Sequence, residues 1–130
     1  MQMFCAKLQN NRMQTNQNKG RTAEAIAASY LLSKDFEILS LNWRAGRFEI
    51  DIIATSENIL HFIEVKGRWG KGFGDPEEAV NYKKFRHMQK AATAYLQQFP
   101  QWKNIQYDII AIEIINDKTS IRFIEDFFCW

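Results

Sequence analysis

Apolar positions recur along this chain with two different periods, and the switch between them outlines its elements. Ala23, Ile26, Ala27, Tyr30 and Leu31 fall three and four residues apart, which predicts a helix over Thr22–Lys34 with Thr22 as its N-cap. Phe36–Trp43, Phe48–Thr55 and Ile59–Lys66 are rich in Ile, Phe and Leu with partial alternation, and each predicts a strand. The short polar Glu57-Asn58 step makes an antiparallel hairpin of the second and third. Asp75-Pro76-Glu77-Glu78 is a helix-start signal, with Asp75 as cap, Pro76 at the first helical position and Glu78 as capping-box partner. Asn81 offers a second start, so this segment is one helix or two. Its apolar period continues through Met88, Ala91, Ala92, Tyr95 and Leu96 to Phe99, and Pro100 ends it. Ile105–Ile115 is apolar enough for a central strand, and Thr119–Phe123 forms a shorter one after an Asn116-Asp117 turn. The order α-β-β-β-α-β-β predicts an α/β domain around a mixed β-sheet flanked by helices.

At 130 residues, 46% of them hydrophobic, the chain has length for one domain and enough apolar side chains for a core. Residues 20–130 form that single domain. The Asn- and Gln-rich stretch Gln9–Lys19 has no apolar period and reads as a disordered arm within residues 1–19, or as a spurious extension if translation starts at Met13. The net charge of +2 neither requires nor excludes a nucleic acid, for which a local basic surface matters more. Cys5 and Cys129 lie near opposite ends in no CxxC pattern, which argues against a disulfide framework or a zinc site and for a reducing cytoplasm. With only His61 and His87 present, both read as structural, histidine-based metal sites are nearly excluded. No signal peptide and no apolar run of membrane-spanning length occur, so a cytoplasmic protein without membrane contact is expected.

The hairpin carries the chemistry. With Glu57-Asn58 as a two-residue turn, Asp51 falls opposite Glu64 and Glu49 opposite Lys66, all four on one face. Opposed carboxylates among Ile53, Leu60 and Phe62 repel each other unless something compensates. A divalent cation such as Mg²⁺ or Mn²⁺, which prefers oxygen ligands, does so directly. Asp51 and Glu64 are therefore the expected metal ligands, with the Val65 carbonyl as a third oxygen and Lys66 beside the nucleophile. Spacing alone favours the plainer reading, a solvent-facing Glu64–Lys66 pair. Glu24 projects within roughly 20° of Leu31 at about 100° per residue, so it borders the buried stripe of the first helix.

Over about Gly20–Ile115 the chain resembles the YraN-like family of small bacterial proteins, related in fold to archaeal Holliday junction resolvases. The matching stretches are Gly20–Glu24 and Ala27, Asn42-Trp43-Arg44, Glu49-Ile50-Asp51-Ile52-Ile53 and Phe62-Ile63-Glu64-Val65-Lys66-Gly67-Arg68, followed by Phe73-Gly74, Glu78-Ala79-Val80, Lys84 and Tyr107-Asp108. The resemblance implies a restriction-endonuclease-like PD-(D/E)XK core, with Glu24 as the acid of the first helix, Asp51 as the metal-binding acid and Glu64-Val65-Lys66 as the ExK element. The catalytic set it implies is thus Glu24, Asp51, Glu64 and Lys66. It departs from the family where Phe48 stands in place of the usual Gly before the Glu-x-Asp stretch and Ala23 replaces a Gly before the helix acid. Neither change removes a ligand, and Phe48 bears on substrate preference more than on chemistry. By analogy with the resolvases, a homodimer is implied.

Basic residues surround this set. Arg44, Arg68, Lys71 and Lys84 are expected to meet a DNA backbone, whereas Lys83, Arg86 and Lys90 are equally well explained as a solvated helix face. Trp69 and Phe73, in the glycine-rich stretch after the ExK strand, either stack on an unpaired base or cover the core edge. Asp108, inside an apolar strand, needs a partner, and a nearby Arg is expected. The C-terminal Phe127-Phe128-Cys129-Trp130 closes the core or forms a sticky end. The expected function is a metal-dependent endonuclease acting on DNA, branched or single-stranded. The alternative is a non-catalytic nucleic-acid-binding or adaptor module with the same fold.

Overall fold

The first helix, α1, runs over Asn16–Ser33 and buries Ala23, Ala27 and Leu31 of the stripe marked by the apolar period, together with Ala28, while Ile26 and Tyr30 are half-buried. It starts earlier than expected. Thr22 lies inside it rather than capping it, and Asn16–Lys19, assigned to the arm by composition, form its first turn. A helical turn of polar residues needs no apolar period, only residues that tolerate helix. Asp35 ends the helix in the left-handed region at φ 65. The Asp35 amide donates to the Leu32 carbonyl (3.2 Å) and the Phe36 amide to that of Leu31 (3.0 Å), a Schellman cap. The computed structural model describes residues 16–70 and 82–127, with side chains from Arg21 onward. The expectations for Lys71, Phe73, Asp75–Asn81, Cys5, Cys129 and the last three residues therefore lie outside the described residues.

The strands are β1 (Glu37–Ala45), β2 (Phe48–Ser56), β3 (Ile59–Trp69), β4 (Ile105–Ile115) and β5 (Lys118–Ile124), with α2 (Tyr82–Gln98) between β3 and β4. They form a five-stranded sheet in the order β1-β2-β3-β4-β5. This is the mixed sheet and element order expected. The middle strand is β3, with β4 beside it; β3 and β4 run parallel, and every other pair is antiparallel. A parallel neighbour requires a long crossover, and α2 lies within it. Two of the three two-residue hairpins turn on paired left-handed residues, Glu57 (φ 53) with Asn58 (φ 64) and Asn116 (φ 50) with Asp117 (φ 62). That geometry matches the twist of the strands and fixes the register at Ser56–Ile59 and Ile115–Lys118.

One core packs on each face. Beneath α1 lie Ile52, Ala54, Ile63, Val65, Ile110 and Ile112; beneath α2, Met88, Ala91, Ala92 and Tyr95 pack on Ile50, Ile53, Leu60 and Phe62. Trp69 packs against the α1 core and covers the backbone of Gly67. A Cβ at Gly67 would come within 2.6 Å of that indole and 2.9 Å of the Ala23 Cβ, so glycine permits the close approach of β3 to α1. Asp108, wholly buried, finds a histidine rather than the expected arginine. Its Oδ2 lies 2.6 Å from His61 Nδ1, while Oδ1 accepts from Gln106 Nε2 (2.8 Å) and the Asp126 amide (2.9 Å). No arginine has to reach this interior, because His61 stands two residues along the adjacent strand from Ile63, the residue that Asp108 faces.

Candidate functional site

The chemistry-bearing residues converge where β2 stops pairing with its neighbours. The β2–β3 ladder ends at Ile52–Ile63, one step short of Asp51 and Glu64. Beyond it the Val65 amide donates to Asp51 Oδ2 at 2.9 Å, so a carboxylate takes the bond a strand carbonyl would otherwise accept. On the other side, Trp43–Ile50 and Leu41–Ile52 are paired, but Asn42 and Asp51 between them are not. Asn42 sits at φ 53, a left-handed kink within β1. The facing alternation of β2 slips at the same point, since Ile50 and Ile53 both belong to the α2 core. The expected opposition of Glu49 and Lys66 is therefore not realised: Glu49 pairs with Arg44 on β1, and Lys66 with Ala111 on β4.

This local irregularity gathers acids from two layers. Glu24 of α1 with Glu49 and Asp51 of β2 each offer an oxygen within 4.8 Å of the others. Glu24 accepts a side-chain hydrogen bond from Asn42, and burial, opposed by that bond and reinforced by Glu49 and Glu64, pushes its carboxyl above the ordinary value. Asp51 is pushed up further, first by burial and then by the charge of Glu64, against the pull of the Val65 amide. Glu64, only 3% exposed, meets α2 instead: its Oε1 lies 2.5 Å from Lys84 Nζ.

Lys84 completes the floor, with Lys66 beside it. Lys66 is pushed down, first by burial and then by the neighbouring Lys84 ammonium, with which it also hydrogen-bonds. Burial alone would lower Lys84, but Glu64, Asp51 and Lys66 together raise it. Lys84 therefore holds its proton while Lys66 releases its own more readily.

An open cleft of about 390 Å³ leads to this floor, lined by Glu49, Asp51, Glu64 and Lys84 and, at the rim, by Arg47, Phe48, Lys83 and His87. Of the basic residues expected at a DNA backbone, Arg44 pairs with Glu49 at 3.2 Å, Lys84 pairs with Glu64, and Arg68 stands opposite Glu113 on β4. Sequence reading did not assign Asn42, Glu49 or His87 to the site. The Glu-x-Asp spacing was a signal for Glu49; nothing in one dimension marks Asn42 as the partner of Glu24.

A mixed five-stranded sheet between two helices, with a carboxylate–lysine cluster where its strands diverge, defines a small α/β protein with an acidic cleft. The model of the uncharacterised protein family UPF0102 matches residues 23–112. A UPF0102 protein of Natranaerobius thermophilus is 44% identical over 117 residues, covering 87% of this chain and 98% of that one. Another, from Phocaeicola vulgatus, is 40% identical over 111 residues, covering 84% and 90%. A third, from Alkaliphilus oremlandii, is 37% identical over 117 residues, covering 87% and 99%. The chain belongs to the UPF0102 family, the YraN family named by the motif resemblance. Among the described residues, no helix is long and apolar enough to cross a membrane.

Proposed function

We propose that this cleft is the active site of a Mg²⁺- or Mn²⁺-dependent endonuclease that hydrolyses DNA phosphodiester bonds. The observation that carries the reading is the convergence of Glu24, Glu49 and Asp51, with oxygens within 4.8 Å, beside two lysines whose proton affinities are shifted in opposite directions. The residues fit a hard divalent cation. Their donors are carboxylate oxygens, and the carboxyls of Glu24 and Asp51 are raised first by burial and then by neighbouring acids, both of which a bound positive charge offsets. Glu24, Glu49 and Asp51 would hold the ion, with Glu64 and the Val65 carbonyl as further oxygens on β3. Such an ion supplies Lewis acidity and lowers the pKa of a bound water.

The remaining work falls to side chains. The Val65 amide fixes the Asp51 carboxylate and Asn42 fixes that of Glu24, so neither rotates freely on binding. Lys66 Nζ, beside the acids, would orient the attacking water, and the charged Lys84 Nζ stabilises negative charge growing on the phosphate.

The test is incubation of purified protein with single-stranded, duplex and branched DNA, with and without Mg²⁺ or Mn²⁺. Cleavage that requires the metal and is lost in Asp51→Ala and Lys66→Ala supports the reading. Absence of metal-dependent cleavage, or cleavage surviving both substitutions, removes it; salt-sensitive binding without cleavage would then favour the adaptor alternative.

A further inference from the structure

Phe48, at the mouth of the cleft, is surrounded by basic side chains from two separate elements. The Arg47 guanidinium, from the β1–β2 turn, lies over its ring at 5.2 Å from the centroid. Lys90 Nζ, from α2, lies at 5.1 Å, and the His87 ring at 5.0 Å. Lys83, one turn before His87, lines the same rim. Among the described residues, none of Arg47, Lys83, His87 or Lys90 has an ion-pair partner, although Glu49, Asp51 and Glu64 line the same cleft. Those acids face one another or Lys84, and Glu49 also takes Arg44.

Gathering like charges is unfavourable unless something offsets it. A phenyl face attracts cations without neutralising them, so the ring organises the charges and leaves their N–H donors available. An acid in its place would cancel the field. The cleft is thus divided into an acidic floor and a basic lip. A polynucleotide needs both, because phosphates on either side of the reacting one carry charge that a small phosphate ester lacks.

We propose that Arg47, Lys83, His87 and Lys90, arranged around Phe48, form a clamp for the backbone phosphates of a nucleic-acid strand flanking the one that enters the acidic floor. The strand runs along the β1–β2 turn and the exposed side of α2. This rests on the nuclease reading for what lies at the floor, but the clamp is a binding site in its own right. It assigns backbone contact to Arg47, Lys83 and Lys90, whereas Arg44 and Lys84 are held by carboxylates.

Binding of a fluorescently labelled single-stranded oligonucleotide, measured in EDTA across a salt series, tests it. The variant is Arg47→Ala with Lys90→Ala; the control is Lys34→Ala with Lys103→Ala, which removes the same net charge elsewhere. The clamp predicts about a tenfold or greater loss of affinity and a salt slope shallower by about 1.4 for the first pair, with the control within about twofold of wild type. Phe48→Leu, which keeps every charge but releases the cations, should lose about threefold, and circular dichroism establishes that it is folded. Equal losses in both pairs, or none in the first, overturn the clamp, as does poly-glutamate competing as well as an unlabelled oligonucleotide. Because no metal is present, the result is independent of cleavage. An inactive protein with a working clamp sinks only the nuclease reading, and an active one with an indifferent Arg47/Lys90 pair sinks only the clamp.

Discussion

Lys84 Nζ lies 2.5 Å from Glu64 Oε1, so the cation that α2 brings to the sheet rests on the acid of the Glu-x-Lys stretch. The pair is asymmetric: the Glu64 side chain is 4% exposed and that of Lys84 43%. Water screens part of the interaction, so its worth lies below that of a fully buried pair. Replacing Lys84 with Met leaves Glu64 buried beside Asp51, and a loss of about 1–2 kcal/mol is expected. A double-mutant cycle with Glu64→Gln in urea denaturation measures it. Additivity of the two substitutions would show that the contact contributes nothing.

The acids also set a pH dependence. Asp51 and Glu24 both have folded-state carboxyls raised above their ordinary values of 3.8 and 4.5. A raised group binds more protons folded than unfolded, so its contribution to stability is fully present below the ordinary value and is lost as pH rises through the folded one. In EDTA the thermal midpoint should therefore fall as pH is raised from about 4 towards neutrality, judged against the ordinary carboxylate pKa. Asp51→Asn should flatten that fall and melt higher than wild type at neutral pH. Added Mg²⁺ or Mn²⁺ should reverse the order, because only wild type gains from binding. If Asp51→Asn melts lower in EDTA, the cost of burying the charged carboxylate beside Glu64 is not what dominates there.

His87 bears on the clamp. Burial, then Lys83, Arg47 and Lys90, depresses its proton affinity, so the ring is neutral at neutral pH. Bound phosphates oppose that depression and raise the folded pKa, and linkage requires affinity to rise as pH falls through the ordinary histidine range. Oligonucleotide affinity at pH 5.5 and 7.5 should thus differ more in wild type than in His87→Gln. Equal ratios would exclude His87 from the strand's path.

Gly67 connects the core to the site. Adding a methyl at a position 2.6 Å from an indole and 2.9 Å from the Ala23 Cβ must push α1 from β3. Gly67→Ala should cost about 1–3 kcal/mol, as overpacking does. Because Glu24 follows Ala23, metal affinity by calorimetry should weaken as well. Unchanged affinity in a destabilised variant would mean that Glu24 tolerates a displaced helix.

At the opposite end of β3, Asp108→Ala removes an acceptor used by His61, Gln106 and the Asp126 amide. A loss of about 3 kcal/mol in urea denaturation is expected, since three donors lose a buried partner. Cleavage per folded molecule should be unchanged, and a loss of activity beyond the unfolded fraction would tie this end of the sheet to the chemistry.

Much of this architecture was legible in one dimension because local rules and global fold agree. Glu57-Asn58 and Asn116-Asp117 are polar pairs able to adopt left-handed backbone, so both hairpins keep the register their lengths imply. The apolar period of α1 placed Glu24 at the border of its buried stripe, where it is half-buried. What escaped has a tertiary origin. Asn42 looks like any strand polar residue until β1 kinks at it, and the phase slip at Asp51 follows from that missing rung rather than from any composition. The Lys84 contact requires knowing how α2 crosses β3, and Asp108 found a histidine two strand positions from where simple alternation would look.

The bond from the Val65 amide to Asp51 has an evolutionary implication. Because the carboxylate replaces a backbone acceptor, Asp51 supports the architecture whether or not anything is hydrolysed. A descendant released from chemistry would still be selected to keep an acceptor there, and Asp at that position in a relative is poor evidence of an active enzyme. Glu49, whose ion-pair partner is an exposed arginine, and Lys66, half-buried and charged at a cost, have no such second duty. These would drift first, and they are where living and retired members of the lineage should part.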